Sequence, residues 1–450
     1  MMILRANNNE RSIFCITKFV SIAFNFLGGG DIHRKESMQD KHIGILGAGI
    51  VGLSTALYLQ KAGYKVTIID RQAPGMGASF GNAGLFADYA RLPFAKFSMM
   101  RKIPKMLTDK SGSLSIQGRY LPHLMSYGYE FSKACFNNKY TQGKAAMRYL
   151  QELSVEADHE LLELAGAQSL VRSEGCLGLF STPESFLKAQ KSDLKERREQ
   201  GVNMHFISAD EAQEMEPDLA RFHSGGVFYP DTRFTVSPIA LSRQYVNHFI
   251  NNGGCIQQDE VIALSPRESD VSVHLNDSSV NFDEIVICTG LASKTILSRL
   301  GVNIPMVSER GYHLGLNVGP KKLSRPVGWL DKAIFMTPME ESIRLAGMAE
   351  FAFEDAPIVE SRLDTLLQYA NVMMGEEVQV NSTWVGSRPS TPDSLPIVGP
   401  LKHYPRIKVA FGHGHLGLTF GAITGKLITS CIQNSENTDN LQPFMAERFD

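Results

Sequence analysis

An apolar run from His42 to Leu46 ends in Gly47-Ala48-Gly49-Ile50-Val51-Gly52, and a helical pattern continues from Ile50 until Gly63 stops it. The β-rich stretch Lys65 to Ile69 then delivers Asp70 about twenty residues beyond the glycines. A parallel βαβ unit that binds a dinucleotide uses every one of these signals, and few other local folds do. Gly47 permits the tight turn, Gly49 lets backbone approach a pyrophosphate, and Gly52 lets the helix lie against the sheet. Ile50 and Val51 sit at the positive end of that helix, where phosphate charge is favoured. Asp70 is expected to hold ribose hydroxyls. Arg71 is expected at the adenine edge or a phosphate, because Asp70 would repel a 2′-phosphate. Read singly, these glycines are turn residues; the strand, helix and acid around them make the motif.

A second glycine loop, Gly412-His413-Gly414-His415-Leu416-Gly417, lies near the other end of the chain, between a strand Lys408 to Phe411 and a helix reaching Ile432. Two such loops suit a long ligand gripped at both tips, and FAD has an ADP half for the first and an isoalloxazine ring for the second. The backbone of Gly414, His415, Leu416 and Gly417 and the helix end behind it would stabilise negative charge near flavin N1 and C2=O. His413 and His415 have no acidic or cysteine partner at ligand spacing, so no metal is expected, and both read as loop-structural or flavin-proximal. Between the loops, Gly75 to Gly84 offers small residues with Ser79, Asn82, Ala83 and Gly84 able to follow a ligand closely; the alternative is a plain surface loop. Glu284 to Cys288 reads as a central buried strand whose end, Thr289-Gly290, faces a ligand.

At 450 residues with 43% hydrophobic content the chain is globular, with two domains more economical than four. The net charge of -2 gives no electrostatic reason to expect nucleic acid. Six scattered cysteines argue for a reducing compartment, with Cys176, Cys255, Cys288 and Cys431 read as buried thiols. Residues 1–40 read as a non-core extension, with a weak membrane-surface anchor second, and no later apolar run spans a bilayer. The expected fold is α/β (α+β): a Rossmann-like FAD-binding domain from 41–95, 237–301 and 380–435, interleaved with a substrate domain from 96–236 and 302–379 on a mixed, largely antiparallel sheet. A long helix is expected over Lys144 to Ala165, and one from Pro238 to before Gly253.

The block Trp384-Val385-Gly386-Ser387-Arg388-Pro389-Ser390-Thr391-Pro392-Asp393 places a guanidinium beside two prolines, read as a rigid turn suited to bidentate carboxylate recognition. A structural ion pair is the alternative for Arg388, and Asp393 reads as a turn residue. Taken in order, Gly47–Gly52 with Asp70-Arg71, Ser79-x-x-Asn82-Ala83-Gly84, Arg310-Gly311-Tyr312, the Arg388 block and Gly412-His413-Gly414-x-Leu416-Gly417 resemble the D-amino-acid oxidase superfamily of flavoproteins, most of all its bacterial D-amino-acid dehydrogenase branch.

That resemblance implies non-covalent FAD, with Val261, Thr289 and Gly290 joining the cofactor-binding set. It also implies oxidation of an amino-acid Cα–N bond to an imine that hydrolyses to a 2-oxo acid and ammonia. Arg388 maps onto the family's carboxylate-binding arginine. Tyr312 is the candidate tyrosine, its alternative being a strand residue packed on a sheet. With hydride passing from the neutral amine to flavin N5, no obligatory general base is expected. A quinone or respiratory carrier is the implied electron acceptor. The implied location is cytoplasmic, with contact at the inner face of the cytoplasmic membrane left open. The apolar end of Gly81 to Phe86 and the extra His415 depart from the pattern and leave the substrate open among D-amino acids, D-hydroxyproline, glycine and sarcosine. A flavin-binding subunit of a multi-chain dehydrogenase and an NAD-dependent dehydrogenase are the other readings.

Overall fold

The computed structural model describes residues 41–101, 103, 112–434 and 438–450; the extension expected over 1–40 lies outside them. Two sheets organise the chain. The first runs, in space, Cys255–Gln258, Lys65–Asp70, His42–Leu46, Glu284–Ile287, Tyr404–Phe411 and Ile397–Leu401. Its first five strands are parallel and only the last hairpin is antiparallel. A parallel sheet covered on both faces demands continuous apolar strands, and Ile43, Ile45, Ile285, Val286, Ile287, Ile407 and Val409 are all wholly buried. The chain leaves His42–Leu46 toward Lys65–Asp70 on one side, while Glu284–Ile287 returns on the other. That strand end is therefore a topological switch point, where ligands of open parallel sheets bind.

The helices behind the two glycine loops, Ile50–Lys61 and Gly417–Gln433, pack on one another in this domain. Small residues bring them close. A Cβ on Gly425 would stand 2.9 Å from backbone of Ser54, and one on Gly421 3.4 Å from Ser54 Oγ and 3.7 Å from Ile50 O. Because Gly421 faces the first turn of the other helix, the two N-termini, and so the two distant loops, become neighbours.

The second sheet runs Gln379–Ser390, Val307–Asn317, Ile343–Phe351, Ile334–Pro338, Val327–Trp329, Cys176–Leu179, Gly226–Tyr229 and His205–Ile207. It is mixed and largely antiparallel, with Val327–Trp329 parallel to Cys176–Leu179. The helix Glu360–Met374 covers one face, burying Leu363, Leu366, Ala370, Met373 and Met374 against Leu314, Leu316 and Leu345. Among the described residues no helix is long and apolar enough to cross a membrane.

Four local expectations change. The long helix begins at Asn137 rather than Lys144. Its first two turns are polar and mostly exposed, so no apolar periodicity marks them, and they end at buried Gly143, where a Cβ would crowd Pro93 at 3.1 Å. Arg388 and Pro389 do not form a turn. They continue a strand to Ser390, and proline is tolerated there because Gln379–Ser390 is the edge of its sheet. That strand, expected in the FAD-binding segment 380–435, pairs along its length with Val307–Asn317 of the second sheet. Cys255 is exposed, not buried, because it opens the edge strand of the first sheet, and Cys431 is partly buried.

Candidate active site

The first loop has the backbone that a pyrophosphate cradle requires. Gly47 lies at φ 108°, a region closed to most side chains, and a Cβ there would meet Cys288 O at 2.5 Å. A Cβ on Gly52 would fall 1.9 Å from Gly47 O, so the loop cannot carry side chains at either position. Gly49 is the N-cap of the first helix and brings no capping side chain. Instead Ser79 Oγ, from the Gly75–Gly84 loop, accepts the Ile50 N–H at 2.9 Å. A hydroxyl thus stands where a helix N-terminus would receive a phosphate oxygen, and Val51 and Gly52 follow in the same turn.

Asp70 closes the loop from the next strand, accepting N–H groups of Ala48 at 2.6 Å and Gln72 at 2.8 Å on its two oxygens. Each carboxylate oxygen keeps a second acceptor position for a ribose hydroxyl. Asp259 N–H reaches Asp70 O at 3.0 Å, which draws the segment carrying half-buried Val261 to the same edge. Thr289 ends the central strand with Oγ1 2.9 Å from Ser293 Oγ, and Gly290 takes φ 57°. Arg71 is not part of this cluster; it is exposed, with Nη2 3.9 Å from Glu354.

The Ser79–Gly84 loop is held rigidly. Asn82 spends its amide on it, donating to Ser79 O at 2.5 Å and accepting from Gly84 N–H at 2.7 Å. Arg344 donates to the carbonyls of Phe80 at 3.0 Å and Asn82 at 2.7 Å. Ala83 lies half-buried between them, and Gly84 at φ 75° accepts the Thr235 N–H through its own carbonyl. Trp384 from the second sheet lies on Gly81, where a Cβ would be 2.1 Å from its ring.

Strand alternation decides which residues of the second sheet face these loops. On Val307–Asn317, Glu309, Gly311 and His313 share one face, and opposite them on Gln379–Ser390 stand Arg388, Gly386 and Trp384. This is the loop-facing side, since His313 Nδ1 lies 3.2 Å from Gly81 O and its ring stacks on Trp384 at 5.3 Å. Arg310 and Tyr312 take the other face. Tyr312 is buried in the core beneath the helix Glu360–Met374, its hydroxyl donating to Glu350 at 2.6 Å. Burial and that carboxylate push its pKa up to about 12. The structure separates Tyr312 from Arg388, and the packed-strand reading is the one its position fits.

Arg388 is partly buried, with its side chain 21% exposed. Its guanidinium lies flat on Gly311, where a Cβ would stand 2.0 Å from Nη2. Nη1 donates to Met348 O at 3.1 Å and to Glu309 Oε1 at 3.3 Å, and burial lowers the pKa of the group. The same Oε1 is 2.7 Å from His415 Nε2, while Ser390 Oγ donates to Oε2 at 2.7 Å. Burial works to raise the Glu309 pKa, but His415, Arg388 and Ser390 prevail and hold it at about 2. This carboxylate carries no motif of its own; only the strand register reveals it.

The second glycine loop completes the arrangement. Gly412 and Gly414 take φ 78° and 52°, Gly414 N–H reaches Pro389 O at 3.1 Å, and Ser390 bridges to His413. Leu416 caps the last helix and Gly417 opens it, with no capping side chain, so its N-terminal N–H groups face the loop. His413 is buried with Nε2 2.9 Å from Thr424 Oγ1, and burial lowers its pKa to about 3. His415 is different: its side chain is 39% exposed. Asp393 serves the turn beyond Ser390, accepting from Leu395 N–H and pairing with Arg448 at 2.7 Å.

These parts fit FAD, with one glycine cradle beside Asp70 for the ADP half and a second cradle beside Arg388 for the ring. The comparisons agree. D-amino-acid oxidase of Bradyrhizobium diazoefficiens is 28% identical over 91% of this chain and 99% of its own. D-amino acid dehydrogenase of Vibrio vulnificus is 29% identical over 89% of this chain and 98% of its own. Among solved structures, glycine oxidase from Geobacillus kaustophilus superposes with a TM-score of 0.68 at 20% identity, over 90% of this chain and 98% of that one. The model of the FAD dependent oxidoreductase family, DAO, matches residues 42–431, and the chain belongs to that family.

Proposed function

We propose that this protein oxidatively deaminates a D-amino acid to a 2-oxo acid and ammonia, with hydride leaving Cα for flavin N5. One observation carries the reading: the Arg388 guanidinium is laid on Gly311 on the loop-facing side of the second sheet, beside the Gly412–Gly417 loop. A fixed, partly buried guanidinium is suited to a carboxylate, and a carboxylate anchored there presents its Cα toward the ring cradle. Bound FAD supplies the hydride acceptor. The chain supplies the anchor, the N–H groups of the second loop, and a dry wall of Trp384 and His313. His313 stays neutral because burial and Arg344 lower its pKa to about 4. The names of the D-amino-acid oxidase and dehydrogenase relatives support the substrate class.

The purified protein, desalted and still yellow, should bleach anaerobically with members of a D-amino-acid panel and reduce a dye acceptor. Arg388→Ala should raise KM strongly and lower kcat/KM while FAD stays bound; unchanged kinetics on every active substrate would sink the assignment. A smaller or secondary amine acid, such as glycine, sarcosine or D-hydroxyproline, is the second reading. The Trp384 ring, pressed on Gly81 and Gly386, favours it by narrowing the space near Arg388. A flavin subunit that needs a partner for chemistry would stay oxidised with the whole panel.

The acceptor we propose is a quinone or respiratory carrier reached at the inner face of the cytoplasmic membrane. Leu121, Met125 and Tyr129, spaced by four, form an exposed apolar stripe on Gly118–His123 and the helix Leu124–Ala134. Exposed Arg119 and Lys133 flank it, the latter over the Tyr129 ring at 5.2 Å. An apolar stripe with aromatic and cationic edges suits an anionic lipid surface.

A further inference from the structure

His415 is the one histidine of the second loop that is open to solvent, and its position is over-determined. Glu309 lies 2.7 Å from Nε2, and the Phe94 ring is 5.3 Å from the imidazole. Glu309 Oε1 joins His415 to Arg388, so imidazole and guanidinium lie within about 6 Å of each other. An ionised carboxylate only accepts hydrogen bonds, so Nε2 must carry the proton of the neutral ring. Nδ1 is then the basic atom, and among the described residues it has no hydrogen-bond partner. Arg388 and Glu309 cancel as a charge pair, which suits a zwitterion: carboxylate to the guanidinium, ammonium toward the Glu309–His415 side. Yet hydride can depart only from the free amine. Most of an amino acid at neutral pH arrives as ammonium and must shed one proton inside the site.

We propose, against the expectation that no general base is needed, that His415, oriented by Glu309, is the catalytic residue that accepts this ammonium proton at Nδ1; the inference rests on the amino-acid reading above. The ammonium N–H bond breaks and an N–H bond forms at Nδ1. The freed nitrogen lone pair can then support loss of hydride from Cα to the two-electron acceptor that bound FAD would supply, leaving an iminium for hydrolysis. The imidazolium, stabilised by Glu309, returns its proton to solvent through its exposed edge. Glu309 is a positioning residue here. The other charged or titratable groups around the pair are Arg388 from the edge strand, Tyr127 from the helix Leu124–Ala134, Asp393 from the following turn and His413 from the same loop. Tyr127, raised by burial, and His413, lowered by it, stay neutral across the working range.

The test compares wild type, His415→Ala and Glu309→Gln as FAD-loaded full-length proteins, measuring kcat/KM for an active amino acid from pH 6 to about 10. His415→Ala should lose about 100-fold near neutrality, recover as free amine becomes abundant at high pH, and be partly rescued by added imidazole. Glu309→Gln, which releases the imidazole from its orienting partner, should lose part of the same activity near neutrality and recover at high pH in the same way. A uniform loss at all pH values or no loss in His415→Ala, or a Glu309→Gln profile unchanged from wild type, would overturn the inference. If wild-type protein is bleached by no amino acid at any pH, the functional reading itself fails and the inference falls with it; an active wild type with an unaltered His415→Ala profile refutes the proton acceptor alone.

Discussion

Gly311→Ala is the most discriminating perturbation, because it moves Arg388 without removing its charge. The added Cβ would stand 2.0 Å from Nη2, 2.3 Å from Cζ and 2.7 Å from Nη1, against about 3.5 Å for ordinary contact. The obstructing atoms are the far end of a flexible side chain, so the guanidinium yields and the strand survives. A displacement of about 1.5 Å breaks the bonds to Met348 O and Glu309 and takes the anchor off its line to the ring cradle. Misplacement on the order of 1 Å costs about 100-fold, near 3 kcal/mol of transition-state stabilisation. The expected outcome is a strong loss in kcat/KM with flavin retained and a melting temperature lowered by a few degrees, as for about 1–2 kcal/mol of overpacking. The assay is steady-state kinetics on the best D-amino acid, with inhibition by a non-oxidisable carboxylate as a direct measure of the anchor. Wild-type KM and inhibitor affinity in Gly311→Ala would refute the idea that this guanidinium receives the carboxylate.

Gly52→Ala has no flexible neighbour to displace, because its Cβ would meet Gly47 O at 1.9 Å; it should yield protein that is colourless after desalting or unfolded, read by visible absorbance and circular dichroism. Glu309 binds fewer protons in the native than in the unfolded chain between its ordinary pKa near 4.5 and its native value of about 2. Its contribution, on the order of 3 kcal/mol, is therefore present above pH 4.5 and lost as pH falls toward 2; denaturant melts should show this acid loss shrink in Glu309→Gln. Met125→Ser with Tyr129→Ser should abolish flotation with anionic vesicles without changing dye-linked turnover. Equal flotation of the double variant, or none by wild type, would remove the membrane surface from the picture.

Much of the first domain was legible because its signals are local. The helix Pro238–Asn251 starts at a serine cap followed by proline, with Ser237 Oγ accepting the Ala240 N–H. The strand Glu284–Ile287 is apolar throughout because both its faces are covered. The edge strand Gln379–Ser390 was not legible in the same way. Its first five residues are exposed and, apart from Val380, polar, and its last carry a proline, so neither alternation nor propensity marks it; pairing with Val307–Asn317 does.

The site divides along the same line. Gly47, Gly52, Gly412 and Gly414 are conspicuous because only backbone geometry explains them, and Arg388 because two prolines follow it closely. Tyr312 misled for a physical reason: adjacency in Arg310-Gly311-Tyr312 suggests a shared site, but neighbours on a strand point to opposite faces. The residue that meets Arg388 is two positions before Gly311, not one after it. Once Glu309 is placed there, the role of the guanidinium changes from a lone cation waiting for an anion to one half of a neutral pair. A substrate with only a carboxylate must compete with Glu309, whereas one that also carries an ammonium meets both charges. Discrimination between amino acids and simple carboxylic acids should therefore reside in Glu309, and Glu309→Gln should bind simple carboxylates more tightly while losing catalytic efficiency on amino acids.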